Sequence, residues 1–457
     1  MVTALDAGDR RRHRRAGGGL ALTGILHEQR RARIAVLVYF ALLGLANGVW
    51  LARIPAIKQS LQLTDGVLGL ALLASPAGLV VVVVVASRIV HRAGSRRSTM
   101  IAGICVALLP IALGLAPSLA ALMAALFALG LAAGMLDVSM NSQAVLVERA
   151  AGRPLMTSFH ACYSFGGLAG ALLGSLFATA GISPAVNFTT VGVPLACAAA
   201  LAGRWLVTDP DRNGAAPVAA VSPATAGRVR QFLRSWTPAL LLMAILAACS
   251  LLGEGAAEGW SAVYLHDNLG TSAGLAALGY AGFSLAMAFG RLSGDKLNAR
   301  FGAAVLMRGC GLLAAAGLCL SLLSRQPGAA ILGFALFGAG LSCTFPLLLS
   351  AAGGMDAAQP ASGIARVAGS GYVGLLAGPP LIGGLAEVVG LRWALVVPLV
   401  LALAIAAGAG VAGVGAHVAA SRPRGLRAGR PFRARAGRGR ARSPRPGRPG
   451  PAPPQDL

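Results

Sequence analysis

The chain has 457 residues, 56 % of them apolar and only 12 % charged, with a mean hydropathy of +0.72. Soluble domains carry roughly twice that charged fraction, so lipid is the expected solvent. A net charge of +24 would suit nucleic-acid binding, but its distribution argues against that. Residues 421–457 hold eleven Arg against Asp456, and residues 1–33 hold eight Arg against Asp6, Asp9 and Glu28. The rest is scattered over short segments between apolar runs, the pattern of basic residues left on one side of a membrane.

Crossing a hydrocarbon core takes about 20 apolar residues, and runs of that order recur along the chain. The first six are expected at 34–51, 68–89, 99–116, 119–140, 158–180 and 185–206. Six more are expected at 238–265, 273–292, 303–323, 329–351, 363–386 and 393–416. The organisation predicted is a cytoplasmic segment (1–33), a six-helix bundle (34–206), a linker (207–236), a second six-helix bundle (237–417) and a tail (418–457). The tail is Arg/Pro/Gly-rich and expected to be disordered, having almost nothing to bury. Arg88, Arg92, Arg96 and Arg97 follow the second run, Arg149 and Arg153 the fourth, and Lys296 and Arg300 the eighth. The alternate connections at 117–118 and 181–184 carry no charge, so both termini are expected in the cytoplasm.

Seven cysteines all lie in apolar runs without a CxxC pair or zinc spacing, so no disulfide and no metal are expected. No Walker A loop or nucleophile elbow occurs. No cofactor and no enzymatic activity are expected.

An internal repeat is visible. Gly94, Gly130, Gly166 and Gly170 recur 208 residues later as Gly302, Gly338, Gly374 and Gly378. Phe127-Ala128-Leu129 is echoed by Phe334-Ala335-Leu336 within one residue of that offset. The halves are therefore expected to be parallel repeats about an axis along the membrane normal.

Two segments resemble the major facilitator superfamily: Ser87–Arg97, like the cytoplasmic loop between its second and third helices, and Gly290-Arg291-Leu292-Ser293-Gly294-Asp295-Lys296, the second copy. The family pattern has Gly and an acid where this chain has Ser87 and His91, so the first copy is degenerate, whereas the second keeps Asp295. The resemblance, which covers about residues 30–417, implies an all-α membrane protein of twelve transmembrane helices in two six-helix bundles. It also implies a gating role for Arg88, His91, Arg92, Gly94, Arg291 and Asp295. Three stretches, Trp50–Pro55, Asp137–Gln143 and Glu254–Ala262, are similar to the bacterial fucose-permease-like group. A transporter in a bacterial inner membrane is thereby implied.

An ionisable group at membrane depth is by default functional. Asp137 lies late in the fourth run, with Asn141 one turn on and on the same face. Removal from water favours the protonated carboxyl, and the resemblance implies proton coupling by an acid on this helix. The family's second acid, on the first helix, is replaced here by Asn47. Glu254 and Glu258, one turn apart among Gly253, Gly255 and Gly259, mark a segment that either unwinds beside Trp260 to form part of a site or is an outer helix end meeting water. His160, Tyr163 and Tyr372 complete the expected route. Gly166, Gly170 and Gly174 form a small-residue stripe for close helix packing.

The expectation is a monomeric secondary transporter whose partners are the lipid bilayer, a small polar or sugar-like solute and a proton, with no nucleic acid. Two alternatives stay open: drug–proton efflux, and a non-transporting membrane sensor working through its tail.

Overall fold

Twelve helices long and apolar enough to cross a membrane form among the described residues of the computed structural model, which are 5–152, 155–208, 236–355 and 360–413. The predicted linker falls almost wholly, and the predicted tail wholly, outside them. In chain order the helices of the first half are α1 (Leu5–Ala52), α2 (Ile54–Ser60), α3 (Asp65–Leu72), α4 (Ala74–Ala93), α5 (Ser95–Gly114), α6 (Leu119–Ala151), α7 (Met156–Thr179) and α8 (Pro184–Ala202). The second half has α9 (Pro238–Val263), α10 (Ala273–Phe301), α11 (Ala303–Leu323), α12 (Pro327–Leu341), α13 (Thr344–Met355), α14 (Pro360–Val389), α15 (Leu391–Ala394) and α16 (Val396–Gly408). The short α2 lies between the first two spans. The second span is α3 plus α4, the tenth α12 plus α13, and the twelfth α15 plus α16.

Starts and stops follow from local chemistry. Thr64, Ser118, Ser183, Thr237 and Ser272 each accept, through the side-chain hydroxyl, the backbone N–H three residues on. Such caps satisfy donors that a helix N-terminus leaves free. Gly94 and Gly302 turn the chain between consecutive spans at φ 87° and 80°, a region that costs a side chain energy but not glycine. The tenth span, expected to be unbroken, is interrupted at Ser342–Cys343. There the Thr344 and Ser250 hydroxyls share a hydrogen bond of 2.5 Å.

Burial is inverted relative to a soluble protein. Val84, Leu176, Val388 and Trp393 are 62–81 % exposed on the outside of the bundle, where lipid tails replace water. Inside, Ser139, Gln143, Asn187, Ser250 and Thr344 are fully or almost fully buried.

The two halves repeat one packing scheme. The first span packs on the fifth (α1 with α7) as the seventh does on the eleventh (α9 with α14). The second packs on the fourth (α4 with α6) as the eighth does on the tenth (α10 with α12). A Cβ at Gly130 would overlap the Ser75 carbonyl, and one at Gly338 the Phe283 carbonyl; 75 and 283 are again 208 residues apart. Gly166 and Gly170 abut the Ala41 and Leu45 carbonyls, so the small-residue stripe brings the fifth span onto the first, as expected.

Between halves, α7 packs on α10, and α14 packs mainly on α3 rather than α4. Because α3 is the part of the second span farthest from the chain termini, the halves meet on the face opposite the termini and diverge toward the terminus-bearing face. Hydrogen bonds join them on the closed face. Lys58 Nζ donates to Asp267 Oδ2 at 2.5 Å, Gly66 N to Glu387 Oε2 at 2.8 Å, and Ser175 Oγ to the Gly274 carbonyl at 2.7 Å. Gln59 Nε2 lies 3.2 Å from His266 Nε2.

Candidate functional site

A cavity of about 420 Å³ lies between the halves at mid-depth. The first half lines it with Asn47 from α1, Asp137 from α6, and His160 and Tyr163 from α7; the second with Glu254 and Glu258 from α9, Arg291 from α10 and Tyr372 from α14. Apolar and aromatic walls come from Phe40, Trp50, Leu79, Leu126, Phe345 and Leu375. Six residues singled out for a route in the sequence are thus brought to one chamber, together with Asp137.

Asp137 sits 14 residues before the end of α6, about 21 Å along the axis at 1.5 Å per residue. Asn141 Nδ2 donates to its Oδ1 at 3.0 Å and to its backbone carbonyl at 2.8 Å. Asn141 therefore positions the carboxylate and does not itself line the cavity. Gln143, two residues on, faces into the bundle and ties three spans together. Its Nε2 donates to Ser95 Oγ at 2.6 Å and to the Val207 carbonyl at 2.8 Å, while its Oε1 accepts from Val207 N at 2.9 Å. One short stretch thus supplies a cavity acid on one face and a structural clamp on the other. Nearer the terminus-bearing face, Glu148 Oε2 accepts from Leu155 N and Met156 N at 2.7 and 2.8 Å and caps the start of α7.

Three expectations need correction. The segment around Glu254 and Glu258 does not unwind, and it is not an outer helix end. Despite its glycines, α9 is continuous from Pro238 to Val263, because those glycines let neighbours close in: Leu341 and Phe337 near Gly253, Leu375 near Gly255, Leu72 near Gly259. Trp260 lies outside the route. Its side chain is 0 % exposed within the packed core, against Gly383, on the opposite side of the helix from Glu258 two residues before it. Arg291 is not in a loop. It lies inside α10, ten residues and about 15 Å before its end at Phe301. Arg291 Nη2 donates to Glu254 Oε1 at 3.1 Å, and the exposed area of the guanidinium is cavity surface.

The remaining gating candidates behave differently from one another. Arg88, His91 and Arg92 are exposed on the last turns of α4, Gly94 is the turn itself, and Asp295 is exposed on α10. The arginine of this segment that makes inter-helix bonds is Arg96. Its Nε donates to the Gly203 carbonyl and its Nη2 to the Arg204 carbonyl, both at 3.1 Å, holding the end of the sixth span. On the other face, Arg53 is 4 % exposed and donates to the Ile182 carbonyl at 2.5 Å, tying the end of the first span to the turn between the fifth and sixth. Burial there pushes its guanidinium pKa down.

Sequence reasoning missed the pairing of Arg291 with Glu254. The signal was present in the internal repeat: Glu254 stands 207 residues after Asn47, so the polar positions of the first and seventh spans correspond across the pseudo-two-fold axis.

A twelve-span, two-fold bundle closed on one face over a mid-depth polar chamber is the architecture of a membrane transporter, and no catalytic constellation is required of it. Residues 35–358 and 243–446 match the Major Facilitator Superfamily, and the chain belongs to that family. The transporter y4wD of Sinorhizobium fredii is 35 % identical over 354 residues, covering 77 % of this chain and 90 % of its own. Among solved structures, a mutant of the nucleoside transporter NupG superposes with a TM-score of 0.67 at 14 % identity, covering 84 % of this chain and 99 % of its own. A D-xylose–proton symporter gives 0.62 at 14 % identity, covering 82 % and 96 %. These two likenesses show the fold.

Proposed function

We propose that the chain moves a small polar solute by alternating access, coupled to protons through Asp137, in a bacterial inner membrane with both termini in the cytoplasm. The observation that supports this best is the chamber that gathers Asp137, Asn47, Tyr163, Glu254, Glu258 and Arg291 between halves hydrogen-bonded to each other on the face opposite the termini. On this reading the structure is the inward-facing state, with the outer face closed by the Lys58–Asp267 and Gly66–Glu387 contacts.

The coupling follows from electrostatics. A carboxylate in a chamber that must close within lipid carries a large desolvation cost, and a proton removes its charge. Asn141 donates to the charged form and so holds Asp137 ready to release the proton when the chamber opens to water. The Glu254–Arg291 pair cancels its own charge and joins two helices of the second half, a rigid wall against which the solute rests. The sugar-like character of the solute and the fucose-permease-like relationship remain readings of the motifs at Asp137–Gln143 and Glu254–Ala262.

Counterflow in proteoliposomes with an imposed pH gradient tests the coupling. Asp137→Asn should abolish accumulation driven by the gradient while exchange at equal pH persists. Gradient-driven accumulation unchanged in Asp137→Asn would sink the assignment. A chain truncated after residue 421 should complement a deletion strain as well as the full chain; a full chain that shows no transport and loses its cellular function on this truncation would favour the sensor reading instead.

A further inference from the structure

If all are ionised, the chamber's carboxylates outnumber its one permanent cation by two, and its imidazole, His160, adds charge only when protonated. Three carboxylates line it, Asp137, Glu254 and Glu258, against the guanidinium of Arg291. Glu254 is taken by Arg291 at 3.1 Å, and Asp137 accepts from Asn141 at 3.0 Å. Glu258 is one helical turn beyond Glu254 on the same face of α9 and lines the chamber. Among the described residues it has no hydrogen bond and no ion pair. Leaving such a group uncompensated while the halves close over it is expensive.

We propose that the chamber binds a small organic monocation, with Glu258 as its counter-charge. This rests on the proton-coupled reading above, because the proton on Asp137 removes one of the two surplus charges and the solute the other. The loaded chamber then has no net charge: Glu254 is balanced by Arg291, Asp137 by the proton, Glu258 by the solute. A neutral sugar leaves one negative charge behind, and an anion leaves two. The lining agrees with the charge count. Trp50, Tyr163, Phe345 and Tyr372 bring rings to the same space, and a cation is attracted to ring faces within about 6 Å. At about 420 Å³ the chamber suits a solute of metabolite size.

The test reads the chamber's potential and needs no knowledge of the solute. Ala133 lines the chamber one turn before Asp137, and Leu43 lines it from α1. Each is changed to Cys in full-length protein whose seven native cysteines are replaced. Reaction rates are measured with a cationic trimethylammonium methanethiosulfonate and an anionic sulfonate methanethiosulfonate, each normalised to a free thiol in solution. The ratio of the two cancels the thiolate fraction, which is common to both. The cation should be favoured by about tenfold or more, and Glu258→Gln should lower that preference at least about threefold, while the distant Glu28→Gln should not. A normalised ratio at or below one, or a preference that Glu258→Gln leaves intact, overturns the proposal. Absence of reaction at both thiols also overturns it, since a chamber closed to a hydrated cation cannot be its port of entry. Failure is separable from failure of the coupling reading: the labelling ratio involves no proton gradient, and the Asp137→Asn transport assay involves no thiol.

Discussion

Lys58 is the place where a small change should reset the balance between the two faces. Its ammonium contacts Asp65 Oδ1 and Asp267 Oδ2, both at 2.5 Å, with 13 % of the lysine side chain exposed against 22 % and 30 % of the two acids. Asp65 belongs to the same half as Lys58 and stays with it when the halves part; Asp267 belongs to the other half. Only the second bond therefore distinguishes closed from open. A partly screened, charge-assisted bond is worth about 1–2 kcal/mol net, so its loss should favour the state open on this face by roughly 5- to 30-fold. Spin labels at Ser60 and Asn268, both exposed on the closed face, report the opening as a longer distance in double electron–electron resonance. Lys58→Met and Asp267→Asn should both populate the longer distance, Lys58→Met more strongly because it leaves two carboxylates facing each other. Asp65→Asn should not, since it frees Lys58 for Asp267 alone. If Asp65→Asn opens the face as far as Asp267→Asn does, or if Lys58→Met leaves the distances unchanged, the reasoning fails.

The same lysine sets a pH expectation. Burial lowers its pKa, but the bonds and charges of Asp267 and Asp65 outweigh this and hold it above the ordinary lysine value. Its contribution to the closed face is thus fully present below about pH 10.4 and is lost as pH rises through the higher closed-state value. In a His266→Gln background the label distances should stay constant from about pH 6 to 9; opening within that window would show that another group controls the face. Removing Arg291 should destabilise the fold through its partner. Arg291→Gln leaves Glu254 unpaired at a cost of roughly 1–3 kcal/mol, and adding Glu254→Gln should restore the melting temperature; a double variant no more stable than the single one would argue against the pair as cause. Gly48→Val should lower the melting temperature by an amount equivalent to about 1–3 kcal/mol, because a Cβ there overlaps the Gly167 carbonyl. Gly384→Ala, with nothing within 4 Å of the new carbon, is the control and should melt no lower than the parent, since alanine also favours the helix; equal losses at both sites would show that the overlap at Gly48 is not the cause.

Hydropathy alone located the twelve spans, because a lipid solvent demands runs of apolar residues whatever the tertiary arrangement. Their count and the duplication by 208 residues were legible for the same reason: apolar runs and turn glycines such as Gly94 and Gly302 are local features. The acid at Asp137 was legible because a charge inside such a run stands out. What one-dimensional pattern could not reveal was which way each polar side chain faced. Trp260 and Glu258 are two residues apart on one helix, yet one is core and the other lines the chamber. Arg291, at the edge of the expected run 273–292, was grouped with a gating loop by the resemblance of its segment, but α10 continues ten residues beyond it and turns its guanidinium onto Glu254. Closure of one face depends on Lys58 meeting Asp267, residues 209 apart in sequence. Contacts of that kind follow from how two bundles dock, and only the folded arrangement brings them together.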